Sequence, residues 1–222
     1  MSFKQAIKTF RKRLRNKLQS RIKGNLADNT VKLPHNGCVR LELKGKNNTI
    51  IFPDKINEDS HIKLNIRGDN NYIKISSQEL INLNLKIGES SSYTHNSRFE
   101  IHGFACDLTA TMFENNSEIH IGKGGMISWN CTMWCTDMHS VTTLDGKATN
   151  RGKSIIIGDH VWIGKDVHIA KNTNIPDNYI VGWCSNVTSK FTEKNCIIAG
   201  NPAKVVKHNV NWDRARVDDM PE

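Results

Sequence analysis

Of the nine histidines in this chain, His139 is the one placed to act on a substrate. It closes the stretch Thr136-Asp137-Met138-His139 and leads into residues 140–153, which are rich in Thr, Asp, Gly and Asn. An imidazole in a cleft beside such a loop is partly desolvated and neutral at about pH 7, so it can take a proton from a hydroxyl or an amine. Asp137, two residues earlier, can point to the same side and orient the ring or stabilise its charge. His120, His160 and His168 read differently: they fall where a histidine faces outward or sits at a corner, and a plain surface role is their default.

The elements that must hold His139 show in a repeat. From Ile157 to Thr192 six units of six residues follow one another, opening at Ile157, Ile163, Ile169, Ile175, Val181 and Val187. The next position is small or turn-compatible: Gly158, Gly164, Ala170, Pro176, Gly182 and Thr188. Four places after each opener stand Val161, Val167, Thr173, Tyr179, Ser185 and Phe191. One large aliphatic residue every sixth place fits neither a helix nor a plain alternating strand. It fits a chain wound as a triangular prism, with the opener inside and the small residue letting the corner bend tightly.

A looser repeat precedes the hexads. Gly45-Lys46-Asn47-Asn48-Thr49-Ile50 returns as Gly68-Asp69-Asn70-Asn71-Tyr72-Ile73, with a fainter echo at Asn115-Asn116-Ser117-Glu118-Ile119. Asn-Asn pairs suit tight corners because Asn tolerates left-handed backbone angles. Residues 37–118 therefore read as irregular coils of the same all-β solenoid, with a separate antiparallel sheet as the alternative. Regular coils follow over 119–192. Their phase breaks at 140–153, and an insertion in a solenoid must leave at a corner, beside His139. The tail 208–222, with Trp212, is expected to form a short helix covering the end of the prism.

Charge sits at one end. Residues 1–23 carry nine basic side chains and no acidic one, leaving 22 basic against 22 acidic residues in the rest of the chain. Phe3, Ile7, Phe10, Leu14, Leu18 and Ile22 recur at spacings of three or four, so residues 1–24 read as a basic amphipathic helix. Such a helix can dock on the body or a sister subunit, lie on an anionic membrane surface, or capture an anionic polymer. Nucleic acid is not expected, because the body is neutral and no binding motif follows. No apolar run is long enough to span a bilayer and no signal peptide is visible. The six scattered cysteines then read as free thiols and the compartment as the cytoplasm.

The hexads, the stretch Ile157-Gly158-Asp159-His160-Val161-Trp162-Ile163-Gly164, and Ala199-Gly200-Asn201-Pro202-Ala203-Lys204 resemble the left-handed β-helix acyltransferases. Within these, the chain is most similar to bacterial O-acetyltransferases of capsule, lipopolysaccharide and sialic acid. The resemblance is strong over 119–207, weak over 37–110 and absent from the basic helix. It implies a left-handed parallel β-helix, a homotrimer with coenzyme A between adjacent prisms, and acetyl-CoA as co-substrate. It implies His139 as general base, since the family's Thr/Ser-Asp-x-His motif falls on Thr136–His139. Trp162, followed by Gly164, is implied to lie against the thioester and pantetheine arm. Backbone near Gly182, Ser185 and Ala199 would meet pantetheine, and Lys204 or Lys207 the nucleotide phosphates. The expected reaction is direct acetyl transfer to a saccharide hydroxyl, since no Gly-x-Ser-x-Gly nucleophile motif appears. N-acetylation of a nucleotide-linked amino sugar and a non-catalytic scaffold are the rival readings.

No metal is expected. The γ-class carbonic anhydrases share the prism but pair a zinc-binding histidine with another five residues on, where this chain has Leu144. Cys131, Cys135 and His139 are evenly spaced, yet the hexad register turns Cys131 inward and gives Cys135 a different position.

Overall fold

The six hexad openers all point inward. Ile157, Ile163, Ile169, Ile175, Val181 and Val187 are at most 2% exposed. Around them a computed structural model, which describes residues 20–151 and 154–221, winds a parallel β-solenoid with three faces. Face A has eight strands, from Arg21–Gly24 to Asn186–Val187; face B has seven, from Thr30–Lys32 to Thr173–Ile175. Face C has six, beginning at Phe104–Ala105 and closing with the antiparallel pair Ile197–Gly200 and Ala203–Lys207. The fold is a left-handed β-helix of the hexapeptide-repeat type.

Two features of the corners refine the sequence reading. The tight turn falls at the fourth hexad position, where His160, Asp166, Asn172, Asn178 and Cys184 all have φ between 55° and 63°. The small second residue serves a different end. A Cβ on Gly158 would stand 2.7 Å from the backbone nitrogen of Asp177 on the next coil, so it is the close approach of coils that excludes a side chain.

The earlier coils close differently. In each Asn-Asn pair the first residue takes the left-handed turn, with φ of 56° at Asn47 and 59° at Asn70. The second turns inward: Asn48 Oδ1 accepts from the backbone N–H of Asn71 at 2.9 Å, and Asn71 Oδ1 accepts likewise from Ser97. The ladder satisfies buried polar groups that would otherwise be costly. All strand pairs in this region are parallel, as in the regular coils, rather than antiparallel.

Three expectations need correction. The amphipathic helix expected over 1–24 lies outside the described residues up to 19, but its last residues are a strand, Arg21–Gly24, parallel to Cys38–Lys44 on face A. Edge pairing with a preformed sheet outweighs the helical period there. The tail forms only a single 3-10 turn at Val217–Asp219. Instead of covering the end of the prism, it runs back along face C. Trp212 stacks on His160 at 4.4 Å between ring centroids, and Arg214 lies 5.2 Å from the Phe104 ring. Lastly, Cys131 and Cys135 both point inward, because strand alternation turns residues 131, 133 and 135 to the core.

Candidate active site

His139 emerges at the corner between faces A and B, after the Cys131–Trp134 strand. Thr136 opens the corner: its hydroxyl donates to Glu114 Oε1 at 3.1 Å and accepts the backbone N–H of Met138 at 2.9 Å. Met138 takes φ of 62°, and His139 N donates to Asp137 O at 2.7 Å. This is the rarer positive-φ γ-turn, a strained conformation for a side chain as large as Met. Such strain persists where neighbouring contacts over-determine it, and it collects at functional sites. It leaves His139 exposed, with its ring free of hydrogen-bond partners among the described residues.

Asp137 does not hold the imidazole. Its Oδ2 accepts from Lys171 Nζ at 2.9 Å and from Asn150 Nδ2 at 2.7 Å. Partial burial pushes this carboxyl up, but the hydrogen bonds from Lys171 and Asn150 and the Lys171 charge outweigh it and hold the group below its ordinary value. Asn150 then ties the loop: it donates to His139 O at 2.9 Å and accepts from Val141 N at 3.0 Å. Lys171 also donates to Asn150 O, and its side chain is only 11% exposed. The structure therefore gives Asp137 the backbone beneath the ring, through Asn150, rather than the ring itself. Asn150 and Lys171 are the residues that the sequence reading missed. No local signal marks Lys171: it follows Ala170, which only the strand register sets over Trp134 across the inserted loop.

The residues expected at the donor lie elsewhere. Trp162 is on the outer surface of face C, in register with Met126 on one side and Ile180 on the other. Gly164, Gly182, Ala199, Lys204 and Lys207 sit on or beside the same face. Ser185 does not join them at the surface. It is fully buried, its hydroxyl donating to Gly182 O at 2.7 Å and accepting from Gly200 N at 3.2 Å. A small polar residue at a hexad's fifth place faces the core, where it must find its own partners.

Trp162 carries an informative defect. Its Nε1–H is buried with no hydrogen-bond partner, while the Trp212 ring stands 6.0 Å away and donates its own N–H to His160 O. An orphaned indole donor costs free energy comparable to a lost hydrogen bond until an acceptor arrives, about 1–3 kcal/mol. A thioester or thiolate sulfur is such an acceptor, so the residue fits the group that the fold leads one to expect.

On a three-faced prism the corner between faces A and B is opposite face C. One chain therefore brings Asp137 and His139 together, brings Trp162, Gly164, Gly182 and Ala199 together, and keeps the two groups on opposite sides.

Among the described residues, two clusters outside this arrangement group metal-ligand types: Glu100, His102 and His120 on face B, and Glu193, Cys196 and His208 near the tail. Glu100 is also paired with Arg98 at 2.5 Å, which accounts for its buried carboxylate without an ion. The buried thiols of Cys131 and Cys135 are pushed up to about 11 and about 12 by desolvation, so they are poor ligands and poor nucleophiles. No disulfide links the six cysteines.

A left-handed β-helix with an exposed histidine at a broken corner and a tryptophan on the opposite face defines a class, the hexapeptide-repeat acyltransferases. No protein-family profile matches the chain. Solved structures do. The polysialic acid O-acetyltransferase OatWY is 32% identical over 80% of this chain and 92% of its own, with a TM-score of 0.55. The polysialic acid-specific acetyltransferase NeuO is 26% identical over 90% of this chain and 80% of its own, with a TM-score of 0.67. An uncharacterised 24.8 kDa protein from the cps region of Klebsiella pneumoniae is 47% identical over 96 residues, 43% of this chain, and the match spans 42% of that relative. The chain belongs to the hexapeptide-repeat acetyltransferases.

Proposed function

We propose that this protein is an O-acetyltransferase that moves the acetyl group of acetyl-CoA to a hydroxyl of an anionic cell-surface saccharide, with His139 as general base. The observation that carries the reading is the identity with OatWY over 92% of that chain. The strained Thr136–His139 corner supports it by presenting a free imidazole beside a projecting loop. NeuO, also specific for polysialic acid, points to the same acceptor chemistry, and the cps-region relative suggests a capsule.

In this reaction His139 removes the proton of the acceptor hydroxyl as its oxygen attacks the thioester carbonyl carbon. The carbon–sulfur bond breaks, and the imidazolium returns the proton to the departing thiolate. Trp162 offers its unpartnered Nε1–H to the sulfur, which favours the charge that develops there. Gly182 and Ala199 line the wall beside pantetheine, and Lys204 or Lys207 meets the phosphates.

The site is completed between subunits of a homotrimer, His139 from one prism facing Trp162 of the next. The opposed placement of the two groups favours this, and so do large aromatic residues left in solvent. Trp129 and Trp183, 60% and 69% exposed at the corner between faces C and A, are the kind of side chain that a subunit interface covers. Among the described residues no helix is long and apolar enough to cross a membrane. The proposed use of acetyl-CoA places the reaction on the cytoplasmic side.

The test is thiol release from acetyl-CoA with anionic saccharides as acceptors. His139→Ala is expected to lower the rate by roughly 10²–10⁴. Loss of the transferred acetyl in mild alkali identifies an ester. An alkali-stable product would replace O-acetylation by N-acetylation, and no release with any acceptor would leave only a scaffold.

A further inference from the structure

Face A is chemically lopsided. On its first four strands, Arg21–Gly24, Cys38–Lys44, His61–Arg67 and Asn82–Ile87, the outward positions are mostly cationic. Arg21 is in register with Arg40, and Arg40 with Lys63, so three exposed cations stand on successive rungs about 4.8 Å apart. Like charges directly opposite one another on neighbouring strands are destabilising. None of the three has an ion-pair partner among the described residues. The sole acidic residue on these strands, Glu42, is already held by Arg67 at 2.8 Å and by Lys44 at 3.8 Å. Overall charge does not account for this, since the chain beyond residue 23 has equal numbers of basic and acidic residues.

Local conflict of this kind marks a surface selected for something other than the fold. A shallow groove of about 150 Å³ runs along it, lined by Arg21, Lys23, Arg40, Glu42, Lys63 and Asn65. The next rung holds Asn84, half-buried on the same face, whose Oδ1 has no hydrogen-bond partner. A second column runs from Lys23 through Glu42 and Asn65 to Lys86, then past the buried Thr111 to Trp134, on the strand that ends at the His139 corner. In sequence, the face is entered from residues 1–19, which add seven basic side chains and no acidic one.

We propose that the outer surface of face A, from Arg21 to Lys86, is the binding track for a linear polyanionic saccharide, laid along the solenoid axis toward His139. The proposal rests on the acetyltransferase reading for its direction and purpose. The track explains a cationic column without counter-charges, which neither a scaffold nor a monosaccharide acceptor requires. Its rungs repeat along the axis, as the charges of a regular polymer do.

The experiment is direct binding of the full-length protein to polysialic acid across a salt series, with dextran as a neutral control. The probe should bind, weaken as ionic strength rises, and weaken roughly 10- to 30-fold in the doubly reversed variant Arg40→Glu/Lys63→Glu. Because both residues are exposed, an unchanged melting temperature is expected, and Arg40→Ala/Lys63→Ala serves if the reversed pair misfolds. Unchanged affinity in these variants overturns the track, as does equal weakening by Lys74→Glu on face B. Loss of binding to vesicles of anionic phospholipid with polysialic acid affinity retained overturns it too, in favour of a membrane. Binding is read without turnover, so a protein that binds the polymer but never releases thiol keeps the track and loses the enzyme.

Discussion

The two halves of the solenoid reach one shape by different devices. In the regular half the first five hexads turn on a left-handed fourth residue, and glycines such as Gly158 have ordinary φ and are needed only because coils lie close. In the irregular half glycines such as Gly68 sit at positive φ, 141° in that case, and the corners are filled by the Asn48–Asn71 ladder. The faces change with the device. Face A strands shorten from seven residues at Cys38–Lys44 to two at Asn186–Val187, while face C gains its first strand only at Phe104. The broad, polar face suits a long charged ligand, and the narrow three-faced end supplies a flat wall with Trp162 on it.

The glycines offer the most disruptive test. A Cβ on Gly68 would fall 1.9 Å from Thr94 O in a backbone region that L-residues avoid, whereas on Gly158 it meets neighbours at 2.5 Å or more with φ unstrained. Gly68→Ala should therefore cost about 3 kcal/mol or more, and Gly158→Ala about 1–3 kcal/mol, in denaturant titrations. If Gly158→Ala proves the more damaging, the irregular half is not the one held by backbone conformation.

This contrast also governs what the sequence reveals. The hexad openers announce the regular half because one aliphatic side chain per corner is the whole rule, and the rule is local. In the irregular half the Asn pairs are visible, but their ladder depends on partners about 23 residues away. The cationic column of Arg21, Arg40 and Lys63 is invisible until register aligns them. The candidate site divides in the same way. The strained corner at His139 shows as a break in phase, and the motif adds its role. Asn150 and Lys171 are hidden because the insertion destroys the count that would align Lys171 with the 135–137 stretch. Ser185 misleads for the opposite reason: its hexad position already placed it inside, and the family comparison drew it to the donor.

The separation of His139 from Trp162 yields the next test. If the protein is the proposed trimer, mixtures of equal amounts of His139→Ala and Trp162→Ala chains would regain activity only if each site draws on two chains. By random assembly about a quarter of the interfaces would then pair an intact His139 with an intact Trp162. Each parent should be deeply impaired, and the mixture after co-refolding should recover activity to about that fraction. If the mixture stays as inactive as its parents, both residues act within one chain and the opposed faces have been misread.

The smallest expected effect concerns the clamp under His139. The depressed Asp137 carboxyl contributes to the ordered corner above its unfolded value, and the contribution is lost as pH falls through the still lower folded value. The native corner is thus insensitive to pH through the neutral range and loosens only in acid below the ordinary carboxylate region. Lys171→Met removes the charge and the hydrogen bond that overcome partial burial, so Asp137 should titrate higher and the corner should loosen at a higher pH. With Asn150 less firmly held, His139 loses placement, and kcat should fall about tenfold with KM for acetyl-CoA unchanged. A pH–rate profile of this variant checks the point. An acid limb moved upward relative to wild type supports positioning through Asn150, whereas a uniformly lowered profile with no displaced limb would make Lys171 a purely structural prop of the A–B corner.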